Sequence, residues 1–101
     1  MILTSKRLEK LDEALCLYTY IKEDDNDIVV IRMSKHLFAE LVSWNPFVVF
    51  SSIGNSFANN SYKGHVVELV SNDNYLAVAY FNQDSREIHS IKEIKEDENA
   101  V

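Results

Sequence analysis

Apolar side chains recur at intervals of three and four near the start of the chain, and charged residues fill most of the positions between them. Three leucines keep this spacing, Leu8, Leu11 and Leu15, and Tyr18 is a candidate to continue it, so the end of the helix is open. The pattern is typical of one apolar face on an amphipathic helix, and Thr4 or Ser5 can cap its N-terminus. We expect a helix over residues 5–15. Because residues 15–22 are rich in β-forming side chains, we expect a strand to begin there.

An acidic segment separates this run from the next one. Residues 23–27 read Glu-Asp-Asp-Asn-Asp, and such side chains favour turns. Residues 28–33 are apolar apart from one arginine and predict a strand. Residues 15–22 and 28–33 together predict a hairpin with a loop of about five residues.

A second amphipathic helix is predicted after this strand. Ser34 can cap it, and four large apolar side chains lie on one face: Leu37, Phe38, Leu41 and Val42. Pro46 disfavours helical backbone at the residue before it, which ends the helix. The apolar run at 47–53 then predicts a buried strand.

The chain has two glycines, Gly54 and Gly64, and they bracket a polar stretch that contains two aromatic residues. This stretch of about ten residues is longer than a usual hairpin loop of about two to five. Asn and Ser supply adaptable hydrogen bonds and aromatic rings supply contact area, a mixture typical of binding loops. We expect one ring to anchor the loop. The candidate contact residues are Asn55, Phe57, Asn59, Asn60 and Tyr62. A structured connection with one helical turn is the alternative.

The last third of the chain contains further β-rich runs. Residues 65–71 and 75–81 are β-rich, and the four polar residues at 71–74 predict a turn where they meet. A second turn is predicted at 82–85. Residues 86–94 are ambiguous. Their isoleucines recur every three residues as in a helix, whereas a strand would place the first and third of them on one face. Their place after two strands favours a strand.

These elements predict an α+β fold. We expect a single domain over residues 1–101, with an antiparallel sheet of about four to six strands that ends in a C-terminal meander and is packed by one or two helices. The polar tail from about residue 95 is expected to fray. No pattern indicates a parallel βαβ unit with a phosphate-binding turn.

Composition and cysteine usage indicate a domain that can build its core without disulfides or metal. The chain is 47% hydrophobic and contains one cysteine, Cys16, within an apolar run. No intramolecular disulfide can form, and we expect a buried thiol in a reducing compartment. No apolar run approaches the length of a membrane span, and charges interrupt the first fifteen residues, where a signal peptide needs an apolar stretch. We therefore expect a cytoplasmic protein with no membrane contact.

Net charge is −6 and is unevenly distributed. Residues 1–27 carry −3, residues 28–71 carry +1 and residues 72–101 carry −4. This distribution contains no basic stripe of the kind that nucleic-acid binders use, so no direct nucleic-acid contact is expected. Acidic clusters favour a basic protein partner, because complementary fields speed encounter. Acidity that only keeps the protein in solution is the alternative.

Candidate catalytic and metal-binding residues do not form a recognisable motif. The acids at 23–27 are adjacent and lack the central glycine of a calcium loop. Zinc sites require ligands in close pairs. No two of the three histidines are near each other in sequence: His36, His65 and His89. A small hydrolase would need an acid, a base and cations for phosphate, and ten basic against sixteen acidic residues oppose an RNA substrate. We predict no catalytic, cofactor or metal site.

The sequence therefore favours a small acidic protein-binding domain that is not an enzyme. The specific hypothesis is an inhibitor, of the immunity-protein, antitoxin or phage anti-defence type. It would occlude the cleft of a cationic nuclease or other nucleic-acid-binding protein. The contacts would come from the polar loop together with Asp24, Asp25 and Asp27. A module that assembles into a homo-oligomer is the alternative, and a small hydrolase is the third hypothesis.

Overall fold

The computed structural model describes residues 3–44 and 60–95. In these residues two helices and five strands form an α+β fold, as predicted. Their bounds are α1 (Ser5–Ile21), β1 (Asp27–Ser34), α2 (Lys35–Trp44), β2 (Asn60–Tyr62), β3 (His65–Val70), β4 (Leu76–Asn82) and β5 (Ile88–Glu93). The strands form one sheet in the order β2-β3-β1-β4-β5.

The sheet is mostly antiparallel, but its centre differs from the prediction. β1 pairs antiparallel with β4 along Asp27–Met33 and parallel with β3 from Ile31. Strands of a parallel pair need a crossover connection, and α2 lies within the connection between β1 and β3. Because β1 lies between β3 and β4, the predicted C-terminal meander is reduced to its last hairpin, β4–β5.

Helix α1 is longer than predicted, and the expected first hairpin is wrong. The helix begins after Thr4, whose hydroxyl accepts a hydrogen bond from the Arg7 amide, and it continues to Ile21. Tyr18 explains the extension. Its ring stacks on Tyr80 with the centroids 5.7 Å apart, and its hydroxyl lies 2.9 Å from the Ser90 hydroxyl. Tertiary packing of the helical face therefore outweighs the β propensity of residues 15–21.

The hydrophobic core lies between one face of the sheet and the apolar face of α1, with α2 at its side. Ser34 caps α2 as predicted, because its hydroxyl accepts a hydrogen bond from the Leu37 amide. The buried core side chains come from both helices and from all strands except β5: Leu11, Ala14, Leu15, Tyr18, Val29, Ile31, Met33, Leu37, Leu41, Tyr62, Val67, Leu76, Val78 and Tyr80, with Leu3 and Ile94 at its ends.

The ambiguous segment near the C-terminus is a strand, as favoured. Its side-chain pattern differs from the prediction, because Ile94 is buried whereas Ile88 is 54% exposed. The cause is a bulge. Tyr80 pairs with Ser90 but Phe81 pairs with Ile88, so one extra residue interrupts the alternation. Residues 96–101, which include most of the tail expected to fray, lie outside the described residues.

The buried side chain of Arg7 joins α1 to residues beside the start of β4. Arg7 is 1% exposed. Its Nε donates to the Ile94 carbonyl at 2.9 Å, and its two Nη atoms donate to the side chain and the carbonyl of Asn74. These three carbonyl-type acceptors satisfy donors of the buried guanidinium.

Candidate protein-binding surface

Two turns lie side by side at one end of the sheet. Residues 22–26 connect α1 to β1, and residues 83–87 connect β4 to β5. Asp27 pairs with Asn82 in the sheet, so both turns project from the same end. The Gln83 amide donates to the Asn26 carbonyl at 2.7 Å, which joins the turns directly. The fold therefore brings together two acidic segments that are about 60 residues apart in sequence.

We call the five acidic side chains of these turns the acidic end: Glu23, Asp24, Asp25, Asp84 and Glu87. All five residues are exposed. Two basic residues, Lys22 and Arg86, belong to the same turns. The net charge of the ten turn residues is −3, which is half of the −6 of the whole chain. A surface with so much of the charge creates a local negative field that attracts cations.

Side-chain hydrogen bonds fix the backbone of both turns. Asp24 Oδ1 accepts from the Asn26 amide at 2.8 Å, a local bond typical of Asp in turns. In the other turn, Asn82 Oδ1 accepts from the amides of Asp84 and Ser85, at 3.1 Å and 2.9 Å. Because these bonds order the turns before any partner arrives, binding would lose less conformational entropy.

Asp27 belongs to a buried network and is not a surface contact, which corrects the sequence-based assignment. It is 4% exposed. Its carboxylate accepts hydrogen bonds from the Tyr80 hydroxyl at 3.0 Å and the Asn82 amide group at 2.9 Å, and His89 Nε2 lies 3.1 Å away. The hydrogen bond from Asn82 lowers the pKa of Asp27, and those from His89 and Tyr80 act in the same direction against burial. Burial, together with the bond to Asp27, raises the pKa of Tyr80.

The predicted recognition loop is only partly described. Asn55, Phe57 and Asn59 lie outside the described residues, and Asn60 begins β2. Tyr62 is 3% exposed and packs in the core, so it is not available to a partner and the sequence-based assignment is wrong.

Tyr62 and its neighbour Lys63 connect the β2–β3 hairpin to α1. The Tyr62 hydroxyl donates to Asp12 Oδ1 at 2.8 Å, and the Lys63 ammonium lies 3.0 Å from Asp12 Oδ2. Burial, followed by the bond to Asp12, raises the pKa of Tyr62. Of the two rings in the polar stretch, Tyr62 therefore anchors the β2–β3 hairpin to α1.

A groove runs between α1 and the turn of the β2–β3 hairpin. Its first part has a volume of about 500 Å³ and is lined by Asp12, Leu15, Cys16, Thr19, Tyr20, Lys63 and His65. A second part of about 380 Å³ shares two of these residues, Thr19 and His65, and extends to Lys22 and Gln83 at the acidic end. The thiol of Cys16 is exposed, so the expectation of a buried thiol is wrong. The helix continues through this residue and turns it away from the core.

Sequence reasoning found Asp24 and Asp25 but missed Asp84 and Glu87. The sequence predicts a turn at 82–85, but Asp84 within it and Glu87 after it lie about 60 residues from the acidic run at 23–27. Only the antiparallel pairing of β1 with β4 brings the two turns together. An acidic residue in each of two predicted turns was the available signal, and the strand order was the missing information.

The described residues contain no group of three or more His, Cys, Asp or Glu side chains arranged to hold a metal ion. Within residues 3–44 and 60–95, neither helix is long and apolar enough to cross a lipid bilayer. Comparisons of the chain with protein-family models, with curated proteins and with solved structures find no match. Interpretation of the surface therefore depends on its geometry and charge.

Proposed function

We propose that this chain is a protein-binding domain whose acidic end docks on a basic protein partner. The observation that carries the proposal is the hydrogen bond from Gln83 to Asn26, because it holds two acidic turns together as one exposed surface. The class of partner that fits is a protein with a cationic, nucleic-acid-binding cleft, such as a nuclease. The domain would act as an inhibitor by covering that cleft.

The charge arrangement supports this mechanism. A cleft that binds nucleic acid carries Lys and Arg side chains for phosphates, and carboxylates form charge-assisted hydrogen bonds with the same groups. Opposite fields accelerate association, to about 10⁸–10⁹ M⁻¹s⁻¹ at low salt in favourable cases. The complex should accordingly weaken as salt screens the two surfaces.

A capture experiment with matched variants tests the proposal. The tagged protein is incubated with host lysate, washed at low and then high salt, and the retained proteins are identified by mass spectrometry. A triple variant, Asp24→Asn, Asp25→Asn and Asp84→Asn, removes three charges from the acidic end. A control triple variant, Glu9→Gln, Glu13→Gln and Asp73→Asn, changes net charge equally at other exposed positions.

We expect one basic protein to be retained by the wild type and by the control, to be released by salt, and to be lost with the acidic-end variant. Equal retention by both triple variants would contradict a role for the acidic end. The captured partner is then assayed for nuclease or nucleic-acid binding with and without the domain. Unchanged activity in the complex would exclude occlusion.

Self-association is a second candidate function, and exposed apolar side chains on α1 favour it. Leu17, Tyr20 and Ile21 share one side of the helix and are 50%, 88% and 43% exposed. Isolated exposed apolar residues are ordinary, but a continuous stripe marks contact surfaces. The molecular mass measured in solution at several concentrations tests this candidate. A constant monomer mass, unchanged by Tyr20→Glu, would exclude it.

A further inference from the structure

We propose that the groove between α1 and the β2–β3 hairpin binds an aromatic side chain from a basic peptide segment of the partner. The inference rests on the proposed function and deepens it, because it specifies the chemistry of the segment that the partner presents. In this arrangement the acidic end contacts the basic residues of the segment, and the groove holds its aromatic anchor.

The groove has the size of a binding site. Its two parts, of about 500 Å³ and about 380 Å³, both contain Thr19 and His65 in their walls and therefore adjoin each other. Small-molecule pockets and anchor sites in proteins occupy roughly 300–1,000 Å³. Each part alone has room for one large side chain.

The lining is mostly apolar. Leu15 and the side of α1 form one wall of the first part. In the second part, apolar residues of two strands contribute to the lining: Ile28, Val29, Val30 and Val66. Tyr20 at the first part is 88% exposed and offers a ring at the surface. Contact anchors are concentrated in such apolar sites with a polar surround.

The charged groups of the groove favour an uncharged aromatic ring over an aliphatic or charged group. Asp12 accepts hydrogen bonds from both Tyr62 and Lys63, so its carboxylate is already paired. Lys63 and Lys22 line the groove, and ammonium groups are attracted to the faces of aromatic rings. Lys63 already lies 5.4 Å from the centroid of the Tyr62 ring.

The position of the groove explains why the segment should be basic. Lys22 and Gln83 line its second part, and each begins one of the two acidic turns. An extended peptide advances about 3.3 Å per residue. Residues one or two positions from an anchored ring therefore reach the carboxylates of the acidic end, where lysine or arginine is favoured.

Four synthetic five-residue peptides separate the two halves of this proposal. Two peptides have a central tryptophan, flanked by two lysines on each side or by two glutamates on each side. The other two have a central alanine with the same flanks. Binding to the ¹⁵N-labelled protein is followed by the shifts of its backbone amide resonances in NMR.

We expect the lysine–tryptophan peptide to shift the amides of Thr19, Val29, His65 and Val66 together with those of the acidic end. The lysine–alanine peptide should bind about tenfold more weakly and should shift only the acidic end. Equal affinity and equal shift patterns for these two peptides would overturn the groove proposal. So would the absence of shifts at the groove with the lysine–tryptophan peptide at millimolar concentration.

The same peptides also test the role of the acidic end separately from that of the groove. If the glutamate–tryptophan peptide binds as tightly as the lysine–tryptophan peptide, and both shift the groove amides, the groove is an aromatic site. The acidic end then has no role in recognition, and the basic character of the segment is excluded.

Two blocking changes complete the test. Thr19→Trp fills the groove from an exposed helical position, and Ser43→Trp places the same ring on an exposed position of α2 as a control. Alkylation of Cys16 with a bulky maleimide blocks the groove in the unmutated protein, since this exposed thiol is the only cysteine. We expect Thr19→Trp and alkylation each to lower affinity for the lysine–tryptophan peptide about tenfold. Unchanged affinity after alkylation would overturn the proposal even if Thr19→Trp perturbs the fold.

Discussion

Two buried charged residues, one in α1 and one in β1, make their contacts at opposite ends of β4. The surroundings of the two residues differ. Arg7 is 1% exposed and donates to the acceptors of Asn74 and Ile94, beside the start of the strand. Asp27 is 4% exposed and accepts from side chains at the other end of the strand, including that of Asn82. Each holds together segments that are distant in sequence.

The difference lies in what each residue supports. Arg7 joins α1 to the β3–β4 turn and to the residue after β5. Asp27 begins β1 directly after one acidic turn, and its partner Asn82 also fixes the backbone of the other turn. A buried charged residue therefore joins a helix to the sheet at one end of β4, and at the other end it supports the proposed binding surface.

The largest effect on stability is expected for Arg7→Ala. Three hydrogen bonds to Asn74 and Ile94 are lost and their buried acceptors become unsatisfied, at about 1 kcal/mol or more for each. We expect the free energy of unfolding to fall by about 3 kcal/mol, measured by urea denaturation. At a temperature where the variant remains folded, peptide binding at the acidic end should be unchanged. A loss below 1 kcal/mol would contradict the role of Arg7.

The next effect is expected for Asp27→Asn, and it depends on pH. Because the pKa of Asp27 in the folded protein lies below its ordinary value of 3.8, the carboxylate stabilises the fold above that value. This stabilisation is lost as pH falls through the lowered pKa. The wild type should be more stable than the variant at pH 7, and the difference should shrink below about pH 4.

Thermal unfolding of both proteins between pH 2 and pH 7 measures this difference. A difference in stability between the two proteins that stays constant over the whole pH range would show that ionisation of Asp27 does not contribute to folding stability. We also expect the variant to shift the amide resonances of both acidic turns, which Arg7→Ala should not do. This contrast separates the two ends of β4.

A smaller effect is expected for Tyr62→Phe, which keeps the buried ring and removes the hydroxyl that donates to Asp12. We expect a loss of about 1 kcal/mol in the free energy of unfolding. Tyr20→Phe is the matched control, because Tyr20 is 88% exposed and should lose almost nothing. Equal losses in the two variants would contradict the anchoring role of Tyr62.

The smallest effect on stability is expected for neutralising the acidic end. Exposed charges contribute little to folding, and here neighbouring carboxylates repel one another. Asp24→Asn, Asp25→Asn and Asp84→Asn together should change the free energy of unfolding by less than about 1 kcal/mol, since Asn also suits turns. A larger loss in urea denaturation would show that these residues serve the fold and not a partner.

Local patterns predicted most of the elements. The α+β class, the cap at Ser34, strand β1 and the turn after β3 were all visible, because they depend on short-range spacing and turn-forming side chains. The end of α1 could not be predicted in this way, because it depends on the packing of Tyr18 on Tyr80, two residues that are 62 positions apart. The parallel pairing of β1 with β3 was missed for the same reason.

Burial of polar residues was the hardest property to predict. Asp27 follows two exposed aspartates within an acidic run, yet it alone of the three has a tyrosine, an asparagine and a histidine as partners. Tyr62 lies in a polar stretch, yet it packs in the core. In both cases the partners come from distant segments, so no local pattern distinguishes the buried side chain from its exposed neighbours.

A titration with penta-lysine at low ionic strength tests the central claim most directly, namely that the acidic end and not overall charge attracts a basic partner. Three proteins are compared by NMR: the wild type, the acidic-end triple variant, and the control variant with Glu9, Glu13 and Asp73 neutralised. We predict shifts concentrated in residues 22–26 and 83–87, with affinity lowered about tenfold in the acidic-end variant and little changed in the control. Equal losses of affinity in the two variants, with shifts spread over the whole surface, would contradict the claim.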